Sequence, residues 1–288
     1  DRRSVAFIEE HRPELPGVFI QVAPLRHYPY GDHAGHLLGY LGEVNGRQLK
    51  KLKKLSYRQG DLLGKYGVEF SHEKHLRGET GFKQVEVDAY GREFKVVKPF
   101  IDKPGNNIQL TLNYGLQKKA EELFKDYEGS IIAIDPTDGA ILAMVSKPSF
   151  DPNKFASGIL KEDWRALTTD PLKPLQNRAT RGQYPPGSIF KIVMAFATQA
   201  EKILSPTEKI QCYGTFPFGG RVFNDWKRGG HGPVDLTQSL AQSCDVYYYQ
   251  VGNKLGIERI ARYSRMFGLG SPTGFAPREK GGLVPSNA

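Results

Sequence analysis

The most informative stretch of the chain reads Tyr184-Pro185-Pro186-Gly187-Ser188-Ile189-Phe190-Lys191 and continues into the apolar run 192–197. Because Pro-Pro-Gly cannot continue a helix and the following residues contain few breakers, we predict that a helix starts at Ser188. Lys191 follows one helical turn later on the same face. A serine nucleophile needs a base, and a lysine at this spacing can supply one. If only the four residues 188–191 are considered, the alternative interpretation is that Ser188 caps a helix and Lys191 is solvated.

Two further segments flank this motif. Upstream, the apolar runs 129–134 and 140–145 enclose an Asp-Gly turn, which predicts a β-hairpin in a covered sheet. Downstream, Ser243-Cys244-Asp245 precedes the run 246–250, which is typical of a helix with a polar first turn. Taken alone, these three residues fit a plain helix with a capping serine.

The chain divides near a Pro-, Gly- and Asn-rich stretch at 99–107. We therefore predict two domains, 1–105 and 106–288, the first smaller and β-rich, the second α/β. Further predictions are a strand at 18–22, a hairpin at 82–88 and 93–97 about a turn at 90–92, a basic helix that begins near residue 46, and a helix whose apolar positions are 116, 120, 123 and 124.

Composition and charge limit the classes of function that the protein can have. With 288 residues, 39% of them hydrophobic and 25% charged, the chain has an ordinary globular composition. Its net charge of +9 is dispersed, and the one basic run, at 50–54, is typical of a solvated helix face. We therefore assign no nucleic-acid partner. No stretch of 18 apolar residues occurs in the sequence, so we expect no membrane span within it.

Together these motifs resemble the class B penicillin-binding proteins, and the Ser-x-Asp variant is similar to their elongation-type penicillin-binding protein 2 subgroup. The resemblance rests on Asn177-Arg178-Ala179, on the Ser188 and Ser243 motifs, and on Asp135-Pro136-x-x-Gly139. It extends through Gly64-x-x-Gly67-x-Glu69 and Val85-x-Val87-Asp88-x-x-Gly91-Arg92, so it covers nearly the whole chain. In the first third it implies structural residues, with Glu69 and Arg92 as buried partners.

The resemblance implies a mixed α/β (α+β) fold: a penicillin-binding, β-lactamase-like transpeptidase domain with a smaller β-rich pedestal domain. It implies a peptidoglycan D,D-transpeptidase that cross-links stem peptides through an acyl-enzyme on Ser188 during cell elongation and is inhibited by β-lactam antibiotics. Lys191 would be the base, Ser243 a proton relay and Asp245 an orienting group. The family is anchored in the inner membrane by an N-terminal segment, faces the periplasm, and works with a SEDS-family glycosyltransferase and elongation scaffold proteins.

One family motif is missing from the sequence. The third motif, Lys-Thr/Ser-Gly, normally holds the substrate carboxylate and supplies an oxyanion-hole N–H, and it does not occur before the chain ends at residue 288. Losing one such donor costs on the order of a hundredfold or more in rate. We therefore expect the transpeptidase domain to be incomplete and this chain alone to be a poor catalyst.

A second group of residues has the chemistry of metal ligands. Two thiols, a carboxylate and an imidazole could form a closed tetrahedral site for structural Zn²⁺; they belong to Cys212, Asp225, His231 and Cys244. Their spacing alone leaves a Cys212–Cys244 disulfide or two free thiols open. The resemblance favours zinc, because some relatives carry it at matching positions, with an acidic residue where this chain has Cys212.

Two other classes of function share part of the pattern. A β-lactamase or a β-lactam sensor domain has Ser-x-x-Lys but no pedestal, and a hydrolase would turn penicillin over. A non-catalytic scaffold of the wall-synthesis complex would keep the fold without needing the nucleophile. Lasting acylation of Ser188 argues for the transpeptidase over a β-lactamase, and penicillin labelling that is lost in Ser188→Ala argues against a scaffold.

Overall fold

The structure is a computed structural model that describes residues 2–15, 17–18, 20, 25–52, 57–79, 81–87, 93–100 and 102–287. Its contacts divide the chain into two units, Asp1–Gln176 and Asn177–Ala288. Helices and strands alternate in both units, so the predicted mixed α/β class is confirmed. The domain boundary predicted at residue 105 falls inside the first unit and stays a prediction.

In the first unit, short helices alternate with two-stranded antiparallel sheets. Its elements are α1 (Arg2–Glu10), α2 (Gly35–Leu38), β1 (Leu41–Glu43), α3 (Gly46–Lys51), β2 (Leu62–Gly64), α4 (Gly67–Ser71), α5 (Glu73–Leu76), β3 (Phe82–Val87), β4 (Glu93–Phe100), α6 (Tyr114–Leu123), β5 (Gly129–Ile134), β6 (Ile141–Lys147), α7 (Asn153–Ala156) and α8 (Lys161–Thr169).

Both predicted hairpins are confirmed. β3 pairs with β4 from Phe82 opposite Phe100 to Val87 opposite Glu93, and β5 pairs with β6 from Gly129 opposite Lys147. The turn predicted at 90–92 lies outside the described residues. The strand predicted at 18–22 falls mostly outside them too.

A buried amide attaches α6 to the β5–β6 hairpin by two hydrogen bonds. Oε1 of Gln117 accepts a hydrogen bond from the backbone N–H of Met144 (2.7 Å), and its Nε2 donates to the Met144 carbonyl (3.0 Å). The helix predicted here is confirmed. However, two of its apolar residues, Leu116 and Leu123, are exposed. The helical spacing of apolar residues therefore identified the helix but not its buried face.

Glu69 is buried, as the resemblance implied, and has two partners from an earlier loop. The Arg26 guanidinium binds both carboxylate oxygens, with Nε at 2.8 Å and Nη2 at 3.2 Å. The Tyr28 hydroxyl donates to Oε1 at 3.1 Å. Burial, followed by the charge of Glu69, raises the pKa of Tyr28 far above its ordinary value. Arg92, the implied partner, lies outside the described residues.

The second unit begins with α9 (Arg178–Arg181) and a 3₁₀ turn (Gly187–Ile189), and continues with α10 (Phe190–Ala200), β7 (Ile210–Cys212), β8 (Thr215–Phe218), β9 (Arg221–Asn224), β10 (Gly232–Val234), α11 (Leu236–Ala241), α12 (Asp245–Leu255) and α13 (Ile257–Met266). β7 pairs with β10, and β8 with β9, in separate antiparallel sheets.

The core of the second unit fixes α10 against α12. Apolar side chains of both helices are buried in one cluster, which includes Val193, Met194, Val246, Tyr247 and Val251. Because Ser188 and Lys191 lie at the start of α10 and Asp245 at the start of α12, this packing holds the beginnings of the two helices together. Within the described part of the chain, every helix is too short or too polar to cross a membrane.

Candidate active site

Ser188 lies in the 3₁₀ turn immediately before α10, with its side chain exposed. Pro185 and Pro186 end the preceding segment, and Gly187 adopts a φ of +60°, which few other residues tolerate. The predicted helix start is therefore close to correct, because α10 itself begins two residues later at Phe190. The turn presents the hydroxyl to solvent, while one face of the helix behind it is buried.

Lys191 lies in the first turn of α10 and points into the protein, where only 8% of the residue is exposed. Its ammonium donates to three oxygens: the Ser243 carbonyl at 2.8 Å, the Ser243 hydroxyl at 3.0 Å and Oδ1 of Asp245 at 2.6 Å. An ammonium has three N–H donors, so each has a partner. The amine is therefore held in one place, close to Ser243 and Asp245.

Ser243 is placed by an unusual backbone conformation. Its φ of +53° lies in the left-handed region, which is uncommon for a serine. The residue directs its carbonyl and its hydroxyl to the same Lys191 ammonium, and its hydroxyl also donates to Oγ of Ser188 at 3.0 Å. Residues strained in this way are concentrated at functional sites.

These contacts form one continuous chain of hydrogen bonds from Lys191 through Ser243 to Ser188. Ser243 lies between the exposed hydroxyl and the buried amine, and both hydrogen bonds of the chain are donated toward Ser188. Asp245, the first residue of α12, forms an ion pair with the same lysine. The structure thus brings all four predicted catalytic residues together.

The four predicted metal ligands also meet at one point, and their ligand atoms all lie within 4.8 Å of one another. Sγ of Cys244 and Sγ of Cys212 lie 3.4 and 3.5 Å from Oδ2 of Asp225. Nδ1 of His231 lies 3.4 Å from Oδ1 of Asp225 and 3.7 Å from the Cys212 sulfur. The cysteines are free thiols, not a disulfide.

Close backbone contact places His231 beside Cys212. The preceding residue, Gly230, has a φ of +80°, and a Cβ on it would lie 2.1 Å from the Cys212 carbonyl oxygen. Only glycine fits in this position.

The cluster has the donor chemistry of a closed structural zinc site. Burial raises the pKa of the Cys244 thiol far above its ordinary value, so without a cation it stays neutral. Burial alone would raise the pKa of Asp225 too. However, hydrogen bonds from the backbone N–H groups of Val246 and Lys227 and from both thiols outweigh burial and lower it. Two thiols, one ionised carboxylate and one imidazole fit tetrahedral Zn²⁺.

The sequence did not single out Trp226, yet it lies beside the catalytic group. Its indole Nε1 donates to the carbonyl of Gln242, the residue before Ser243, at 3.1 Å. Its ring also meets the edge of the His231 ring, with centroids 5.4 Å apart. The only sequence signal was its position next to Asp225.

The fold and this site together define a serine–lysine protein suited to nucleophilic acyl transfer, and comparison with known proteins places it in a family. The family described as "Penicillin binding protein transpeptidase domain" matches residues 129–288, and "Penicillin-binding Protein dimerisation domain" matches residues 1–110. The chain belongs to the penicillin-binding protein transpeptidase family.

Among curated relatives, the chain is 39% identical to "Peptidoglycan D,D-transpeptidase MrdA" of Acinetobacter baumannii over 98% of its length, and 35% identical to the Escherichia coli protein of that name over 98%. These alignments cover 43% and 46% of the relatives, so the chain spans less than half their length.

Solved structures give the same family. The chain superposes on the penicillin-binding protein (PBP2) in its complex with MreC from Helicobacter pylori with a TM-score of 0.85 and 32% identity, over 98% of this chain and 53% of that one. Against Pseudomonas aeruginosa PBP2 the TM-score is 0.75 at 32% identity, over 92% and 56%. The resemblance to PBP2 is confirmed.

Proposed function

We propose that the protein is a peptidoglycan D,D-transpeptidase that forms an acyl-enzyme on Ser188 during cell elongation. The observation that supports this most directly is the hydrogen-bonded chain from Ser188 through Ser243 to Lys191. The MrdA relatives, which are named for this activity, add support.

In the proposed reaction, Oγ of Ser188 attacks the carbonyl carbon of the penultimate D-Ala in a stem peptide. For this step Lys191 must act as the free amine, so the ammonium first releases one proton to solvent. The proton of Ser188 then passes to Ser243 as the proton of Ser243 passes to Lys191. The tetrahedral intermediate then breaks its C–N bond as the leaving nitrogen takes the proton of the Ser243 hydroxyl, and Lys191 returns its proton to Ser243, so that D-Ala departs as a neutral amine. An amine of a neighbouring stem attacks the ester and restores the Ser188 hydroxyl, leaving a new amide cross-link.

β-Lactams offer a test, because ring opening on Ser188 leaves a stable ester. We expect a fluorescent penicillin to label the chain at Ser188. Labelling should disappear in Ser188→Ala and persist in Ser271→Ala, a matched change at an exposed serine of the same unit. Equal labelling of Ser188→Ala and the unchanged chain would contradict the proposal, and rapid penicillin turnover would favour a β-lactamase.

We also propose that Cys212, Asp225, His231 and Cys244 bind a structural Zn²⁺. The support is the convergence of their four ligand atoms in a largely buried cluster. When bound, the cation would hold both thiols as thiolates and tie the β7–β10 sheet to the start of α12. Metal analysis should find one zinc per chain. Absence of zinc together with absence of free thiols would favour the disulfide.

For the whole protein, we propose a place at the periplasmic face of the inner membrane, alongside a SEDS-family glycosyltransferase and elongation scaffold proteins. Support comes from what similar proteins assemble with. The H. pylori PBP2 structure is a complex with MreC, and a chain at 33% identity and a TM-score of 0.80 belongs to a structure called a peptidoglycan synthase complex. Co-purification of an MreC-like scaffold with the full-length protein tests this placement.

A further inference from the structure

The β8–β9 hairpin and the loop after it carry exposed apolar and cationic side chains. Phe218, Val222 and Trp226 are 55%, 63% and 65% exposed. Three cationic residues beside them, Arg221, Lys227 and Arg228, are also exposed. We call these six residues the hairpin surface: Phe218, Arg221, Val222, Trp226, Lys227 and Arg228. Asp225 is the only carboxylate between residues 209 and 234, and it is buried in the metal-ligand cluster. The hairpin and its loop thus expose three cations and no carboxylate of their own beside three large apolar groups, a combination typical of a binding surface.

The hairpin is attached to the helix that carries Asp245. Phe216 and Phe223 face each other across the strands, and both rings lie against Tyr249 of α12, with centroid distances of 6.2 and 5.7 Å. Pro217 and Val222, the next pair toward the tip, face the other side of the ribbon. Phe218 and Arg221 follow at the tip, on the same side as Phe216 and Phe223. The base of the hairpin is therefore fixed, while its tip projects an aromatic ring and a guanidinium into solvent.

The other end of the surface adjoins the reacting groups. Trp226 is held by its hydrogen bond to the Gln242 carbonyl, and Ser243, the next residue, contacts Ser188. A ligand on the hairpin surface would thus extend directly to the nucleophile.

We propose that the hairpin surface is a docking site for an anionic glycopeptide polymer, the strand that carries the stem peptide to Ser188. This inference rests on the proposed transpeptidase function. Aromatic rings offer flat apolar faces to sugar rings, and arginine and lysine pair with the carboxylates of stem peptides. Position argues against a membrane as the occupant, because a bilayer on this surface would cover the Ser188 hydroxyl.

Binding can be followed through Trp226. The chain has two tryptophans, so Trp164→Phe leaves Trp226 as the only one. Titration of this variant with soluble, uncross-linked peptidoglycan strands should give a saturable fluorescence change that weakens with added salt. In the same background, Phe218→Ser with Arg221→Glu should weaken binding about tenfold, which corresponds to one lost contact of moderate strength.

A matched control removes an equally exposed apolar group and a cation elsewhere in the unit. Met266 is 67% exposed on α13, and Lys254 is exposed on α12. Met266→Ser with Lys254→Glu should leave the affinity for strands unchanged. Thermal unfolding of both double variants shows whether each remains folded.

Two results would overturn the proposal: no binding of strands, with or without binding of phosphatidylglycerol vesicles, or equal binding of strands by both double variants. Binding of vesicles alone would make the surface a membrane contact. Penicillin labelling of Ser188 separates the two proposals. Failure of labelling with intact strand docking overturns the transpeptidase, whereas labelling without docking overturns only the hairpin site.

Discussion

Ser243 allows a test in which stability and chemistry respond differently to the same pair of substitutions. Its φ of +53° directs both its oxygens to Lys191. Ser243→Gly and Ser243→Ala both remove the hydroxyl and keep the backbone carbonyl. They differ only in how easily the new residue adopts the left-handed conformation.

The expected magnitudes follow from that difference. A left-handed conformation costs a residue with a Cβ about 1–2 kcal/mol, and glycine avoids this cost. However, glycine loses more conformational freedom on folding, which reduces its advantage over alanine by about 0.5–1 kcal/mol. Ser243→Gly should therefore be about 0.5–1 kcal/mol more stable than Ser243→Ala. Ser157, with a φ of −108°, is the control site, where the alanine variant should be at least as stable as the glycine variant.

Acylation should fall equally in both Ser243 variants. The relay hydroxyl is lost in each, and proton transfer of this kind contributes roughly a hundredfold or more to rate. Urea unfolding and the rate of fluorescent-penicillin labelling measure the two effects. Labelling of Ser243→Gly at the rate of the unchanged chain would refute the relay, and equal stability of the glycine and alanine variants would refute the strained backbone.

Three further predictions concern other buried polar groups. Asp225→Asn keeps the side-chain size but removes its charge, so zinc content should fall and the free energy of unfolding should drop by about 1–3 kcal/mol; unchanged zinc content would count against this carboxylate as a ligand. The Tyr247 hydroxyl is buried without a hydrogen-bond partner among the described residues, and burial raises its pKa from 10.0 to about 12. Its contribution to stability is thus complete below pH 10 and lost as pH rises toward 12, so Tyr247→Phe should be no less stable at neutral pH and should flatten this alkaline decline in thermal unfolding midpoints. Glu69→Gln should lower the unfolding free energy by about 1–2 kcal/mol, because Arg26 loses its charged partner but remains partly exposed; a urea midpoint within error of the unchanged chain would contradict this.

Sequence patterns correctly predicted those helices and strands that are specified by residues close to them in the chain. Pro-Pro-Gly before Ser188 determines where α10 can begin, and the Asp-Gly turn determines the β5–β6 hairpin. Both signals lie within a few residues of what they specify. The pairing of Ser188 with Ser243, 55 positions apart, was implied by family resemblance and not by spacing.

The sequence did not predict contacts between distant segments. Nothing in the pattern around Glu69 pointed to Arg26 and Tyr28, because a buried carboxylate can pair with any basic or hydroxyl group that the fold brings near. Gln117 was missed for a related reason: hydrophobic spacing assigns polar residues to the solvent side, whereas this amide bonds to the backbone of a buried strand.

The central claim is that one hydroxyl, at the exposed end of a hydrogen-bonded chain from a buried lysine, is the nucleophile. Tandem mass spectrometry of the unmodified chain after long incubation with a penicillin tests it most directly. We predict a single acyl adduct, on the peptide that contains Ser188 and on that residue. An adduct on Ser243 or on any residue outside this site would contradict the account.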